Sequence, residues 1–185
     1  MRWDRLFDDL EAQAAAAAAR DFDVEVADRS RAEQGRLRLA DRLRAAEGHT
    51  VVLTVRGAGP VSGTLRRVGT GWLLLAAAAE PEILVSLAAV SAVGGLGSAT
   101  EPARDRGLVE DALDLRKALR GLATDRAGVR VLLTDGTAFD GTLDRVGADY
   151  AELAEHPVGE PRRHAAVRAV RTVVIDAIAL VTRTQ

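Results

Sequence analysis

An α+β fold is predicted for this 185-residue chain: N-terminal helices followed by two tandem five-stranded β-barrels, each preceded by a helix. Three observations predict it. Residues 61–69 are echoed by residues 139–147 at a constant offset of 78 positions, so the chain contains an internal repeat. Each copy alternates apolar and polar residues around a shared Gly-Thr-Leu, the period of a strand with one buried face. Each copy also follows a stretch with apolar residues at helical spacing.

Trp3, Leu6, Phe7, Leu10, Ala14 and Ala17 recur every three or four positions, which predicts a helix over about residues 3–20. Val26, Leu37, Ala40 and Leu43 extend the same period over about 24–46, and Gly48 suits a helix terminator. From His49 the period becomes two: Val51, Leu53 and Val55 form one strand, Gly57-Ala58-Gly59-Pro60 a turn, and Val61, Leu65 and Val68 the next strand. At the offset of 78, Val129, Val131 and Leu133 match the first strand, Tyr150 matches Trp72, and Leu153 matches Leu75. Thr134-Asp135-Gly136-Thr137 is a hairpin signal. Leu87, Val90 and Val93 match Ile175, Ile178 and Val181 at an offset of 88, so the second copy is about ten residues longer, in the loop around His156-Pro157-Val158-Gly159-Glu160-Pro161. A second leading helix is predicted over about 108–123, and residues 94–102 read as linker. The predicted divisions are 1–47 (helices), 48–97 (first barrel), 98–127 (linker and helix) and 128–185 (second barrel). Gly63 and Gly141, at the same place in both second strands, are expected to let those strands bend.

Composition narrows the chemistry. The chain has no cysteine, which excludes disulfides, thiol nucleophiles and thiolate metal sites. Formal net charge is −2, so any attraction to phosphate has to be local. The N-terminal residues contain no apolar stretch of signal-peptide length, and the longest apolar run, 72–79, is too short for a membrane span. A cytoplasmic protein without a membrane segment is expected.

The Asp135-Gly136, Phe139, Gly141-Thr142-Leu143, Val146-Gly147 and Tyr150 pattern, with a helix in front and Val173-Val174-Ile175-Asp176-Ala177-Ile178 behind, resembles the Sm-like family. The resemblance covers about residues 37–95 and 108–183 and implies a short helix followed by a bent five-stranded barrel; other SH3-like small barrels share the bent strand. A resemblance to proteins of high-GC bacteria brings no activity with it. The Sm-like family implies RNA binding, but its uridine pocket uses an asparagine that this sequence lacks entirely. Ala151-Glu152 follow Tyr150, and Val93-Gly94-Gly95 and Val181-Thr182-Arg183 end the fifth strands. The pocket is not carried over, and fold analogy alone does not supply function.

No catalytic motif is found. Gly-x-Ser-x-Gly is absent, and Lys117, the chain's single lysine, lies in a predicted helix without a phosphate-loop glycine. His156 and His164 stand near Glu155 and Glu160, but these histidines read as surface residues; no metal and no cofactor are expected. The densest positive charge is Arg162, Arg163, Arg168 and Arg171, with Arg183 further on. Residues 128–185 nevertheless hold seven arginines against eight acidic residues. Residues 72–76 are apolar on both strand faces, so Trp72 and Leu74 need a cover, for which the Trp3, Leu6, Phe7 and Leu10 stripe is the economical candidate. The expected function is a non-catalytic binding or scaffold protein acting through protein contacts or self-association. Weak RNA or single-stranded nucleic-acid binding through the arginines is the alternative, and a metal-dependent hydrolase using His156 and His164 comes last.

Overall fold

A computed structural model describes residues 35–76, 81–97, 114–157 and 167–184. Leu39–Gln185 form one compact unit and Met1–Arg38 another. The predicted helix over 3–20 and residues 24–34 of that over 24–46 lie outside the described residues; within the described part of the second, Leu39–Ala45 is helical (α1). The first repeat continues as β1 (Thr50–Val55), β2 (Gly59–Val68), β3 (Trp72–Ala76), β4 (Ile83–Ser86) and β5 (Val90–Gly94). Helix α2 (Leu115–Thr124) leads the second: β6 (Gly128–Leu133), β7 (Ala138–Val146), β8 (Tyr150–Glu155), β9 (Ala169–Val174) and β10 (Ile178–Arg183). A one-turn 3-10 helix separates the fourth and fifth strands of each repeat, at Leu87–Ala89 and Ile175–Ala177.

The expected pair of closed five-stranded barrels is not what forms. All ten strands belong to a single open antiparallel sheet in the order β5-β1-β2-β3-β4-β10-β6-β7-β8-β9, with two α-helices among the described residues. The strands and hairpins of both repeats are present, but β4 pairs with β10 of the other repeat, with Leu84 opposite Val181. Physically, hairpin order is set by local turns and alternation, whereas closure depends on which distant strand reaches a free edge.

The repeat is reproduced pair by pair. Leu53 faces Val61 in β1·β2, and Val131 faces Phe139 in β6·β7. The β2·β3 ladder shifts register between Leu65 and Arg67, and β7·β8 shifts at the equivalent Leu143 and Arg145. The added Cβ of a side chain at Gly63 would come 2.9 Å from the Ala76 carbonyl oxygen, and at Gly141 it would run into the carbonyl of Ala154. These glycines permit close approach of the third strand to the second.

Two cores lie on opposite faces of the sheet. Successive strand residues point to opposite sides. In β3, Leu73 and Leu75 enter a first core with Leu43, Val51 and Leu53, while Trp72 and Leu74 enter a second with Leu119, Val129 and Leu143. In β4, Ile83 and Val85 join the first core and Leu84 the second. Covered on both faces, β4 is buried along its whole length, which explains its unbroken Ile83-Leu84-Val85 run.

Candidate functional site

Among the described residues, sheet order leaves two strands with one neighbour each: β5 pairs only with β1, and β9 only with β8. Such outer edges present backbone N–H and C=O groups for pairing. Strand β9 is exposed at every residue except Val173, and its Val170 and Val174 are 61% and 57% exposed. Sequence reasoning missed these two valines as surface residues. The signal was in their spacing, since Val170, Thr172 and Val174 alternate with the inward Val173.

Of the arginines expected to meet nucleic acid, Arg162 and Arg163 lie outside the described residues. Arg168 is exposed, and its backbone N–H donates to the Glu155 carbonyl at 2.9 Å. Arg171 is exposed in β9; its guanidinium pairs with the Glu155 carboxylate and lies 4.5 Å from the centre of the Phe139 ring. That carboxylate holds the guanidinium above its ordinary pKa. Arg183 pairs with Asp125 at 2.6 Å. Arg130 and Asp140, opposite one another in β6·β7, form a two-pronged pair at 2.8 and 2.9 Å. The structure does not gather Arg171 and Arg183 into one row; each is engaged by its own carboxylate.

The expected protein-contact residues Trp3, Leu6, Phe7 and Leu10 also lie outside the described residues. Trp72 is buried at 7% exposure and Leu74 is half-buried, both facing the second half of the same chain. The cover over β3 therefore includes α2, through Leu119, and the inner face of β6. The N-terminal stripe, the economical candidate cover by sequence, lies outside the described residues.

His156 is likewise buried, not a surface residue. Its Nε2 is 2.8 Å from Thr142 Oγ1 and its Nδ1 3.0 Å from the Pro157 carbonyl oxygen. His164 lies outside the described residues. Among the described residues, no cluster of three or more histidine, aspartate or glutamate side chains is placed to hold a metal ion, and no helix is long and apolar enough to cross a membrane.

Comparison decides no family. The chain matches no protein-family model, no curated protein and no solved structure.

Proposed function

We propose that this chain is a non-catalytic binding and scaffold protein acting through protein–protein contacts along the outer edges of its sheet. One observation carries the reading: β9 ends the sheet while exposing Val170 and Val174. An open edge offers main-chain hydrogen bonds, and apolar side chains beside it add burial; together these are the components of recognition by strand addition.

The charge around the edge supports the same reading. A phosphate-binding surface works through guanidinium groups that neutralise successive phosphates and release their counterions. Arg171 and Arg183 are each matched by an acidic partner, and residues 128–185 carry one more acid than base.

The experiment is a titration of the full chain with labelled single-stranded RNA and DNA at two salt concentrations. Binding no tighter than about 100 µM at low salt is expected, the weak end of non-specific affinity. Tighter binding that weakens steeply with salt would replace this reading with a nucleic-acid one through Arg162, Arg163, Arg168 and Arg171.

A further inference from the structure

We infer that β9 is a self-complementary edge: two copies of this chain pair there head to head, β9 against β9, antiparallel about a two-fold axis at Thr172. The inference rests on the reading of this edge as a protein-contact surface and adds the occupant and its register.

The order of residues along the edge carries it. Every second residue from Arg168 onward reads Arg168, Val170, Thr172, Val174, Asp176: a cation, a valine, a threonine, a valine and an anion. All five are exposed. The valines stand symmetrically about Thr172, and the two ends carry opposite charge. Antiparallel pairing about Thr172 therefore sets Val170 opposite Val174 of the second copy, Thr172 opposite its own counterpart, and Arg168 opposite Asp176 of the second copy, with every unlike pair made twice. Parallel pairing would set Arg168 on Arg168 and Asp176 on Asp176, and like charges directly opposite are destabilising.

Both charged ends are available. Arg130, Arg171 and Arg183 each hold a carboxylate of their own chain, whereas among the described residues the Arg168 guanidinium and the Asp176 carboxylate have no ion-pair partner. Arg168 lies just before β9 and Asp176 in the 3-10 turn just after it, so the charges bracket the valines.

The backbone alternates in the same phase. Ala154 faces Val170, Glu152 faces Thr172 and Tyr150 faces Val174 in β8·β9, and just beyond them the Ile175 N–H donates to the Asp149 carbonyl at 2.8 Å. An antiparallel ladder bonds at every second residue. Bonding to β8 thus falls on Ile175, Val173 and Arg171, and the N–H and C=O groups of Val170, Thr172 and Val174 point outward. These are the positions that meet in the inferred register, where each pair exchanges two bonds, about six in all. The side chains of the same three residues lie on the face opposite buried Val173, so the valines and threonines of both copies form one cross-strand patch. On the other face Arg171 keeps Glu155 and comes opposite Val173 of the second copy, so no like charges meet.

The remaining edge lacks these features: β5 exposes Ser91, Ala92 and Gly94, and none of its residues is an exposed large apolar one. One short strand from each copy makes a contact of the small class, below about 1,200 Å², that forms transient complexes. Because the two-fold axis uses β9 of both copies, assembly stops at the dimer.

The test is the mass of the full chain in solution from micromolar to near-millimolar concentration. A monomer–dimer equilibrium without larger species is expected. Arg168→Asp and Asp176→Arg each make both end pairs repulsive and are expected to weaken the dimer about three- to tenfold, while the double variant, which exchanges the two signs, is expected to restore it. The cysteine-free sequence permits an independent check by oxidation. Thr172→Cys meets its counterpart across the axis at the Cα separation of a hydrogen-bonded pair, which a disulfide spans, and is expected to give covalent dimer and nothing larger. Val170→Cys, which faces Val174 instead of its counterpart, is expected to crosslink far more slowly. A chain monomeric throughout, species that grow past the dimer, a charge exchange that restores nothing, or equal crosslinking at the two positions overturns the two-fold pairing. None of these results bears on the oligonucleotide titration, which judges the underlying reading separately.

Discussion

Thr142 and His156 satisfy one another inside the sheet: a carbonyl accepts only, so His156 Nδ1–H donates to Pro157 and Nε2 is left to accept the Thr142 hydroxyl proton. The contact ties β7 to the residue just after β8, where the longer loop of the second repeat begins.

Thr142→Val should therefore leave a buried ring nitrogen without its donor and cost about 1–3 kcal/mol. Thr64 is the equivalent residue of the first repeat, where position 78 is alanine instead of histidine. Thr64→Val should change stability by less than about 1 kcal/mol. Urea unfolding of the two variants checks the contrast; equal losses would mean that the hydroxyl packs without serving the imidazole.

Trp72 belongs by sequence to the first repeat and by packing to the second core. Trp72→Ala should cost about 3–5 kcal/mol, the range for large aromatic truncations in cores. Hydrogen exchange should show the loss of protection reaching α2 around Leu119. Faster exchange confined to β1 and β2 would place the indole in the wrong core.

Gly57 has φ +81°, and a Cβ there would collide with the Leu133 carbonyl and lie 2.9 Å from the Gly136 amide nitrogen. Gly48 has a similar φ of +85° but open space around it. Gly48→Ala should cost about 1 kcal/mol from backbone strain alone. Gly57→Ala should cost clearly more, because it also separates the β1–β2 turn from the β6–β7 turn. Thermal unfolding of both variants measures the difference.

Asp114 caps α2, its Oδ1 accepting the Lys117 N–H at 2.9 Å, while Arg116 pairs with its other oxygen. Partial burial pushes the carboxyl upward, but those hydrogen bonds and the Arg116 and Arg120 charges outweigh it and hold its pKa below the ordinary 3.8. A depressed folded value means that the unfolded chain takes up the proton first. The stabilisation is thus present above the unfolded pKa and is lost as pH falls through the folded one. Asp114→Ala should cost about 1 kcal/mol near neutrality and progressively less below about pH 4, whereas Asp114→Asn, which keeps the cap, should cost little. Denaturant midpoints across that pH window decide it.

Much of the local structure was legible in the residues. Alternation at Val51, Leu53 and Val55, the Asp135-Gly136 turn and the offset echo around Gly63 and Gly141 determined the strands, the hairpins and the two-copy plan, because each depends on neighbours a few positions apart. The outer-edge site was only partly legible: Arg168 and Arg171 stood out by charge, but Val170 and Val174 could not be read as surface residues until β9 proved to be the last strand. Tertiary structure alone decided that β4 would meet β10 and open two expected barrels into one sheet. It also decided that Trp72 would serve the second core and that His156 would be buried. A free strand edge offers the same backbone groups to any partner, so its choice is made by distant side chains that cover both faces at once, and no local spacing encodes which ones arrive.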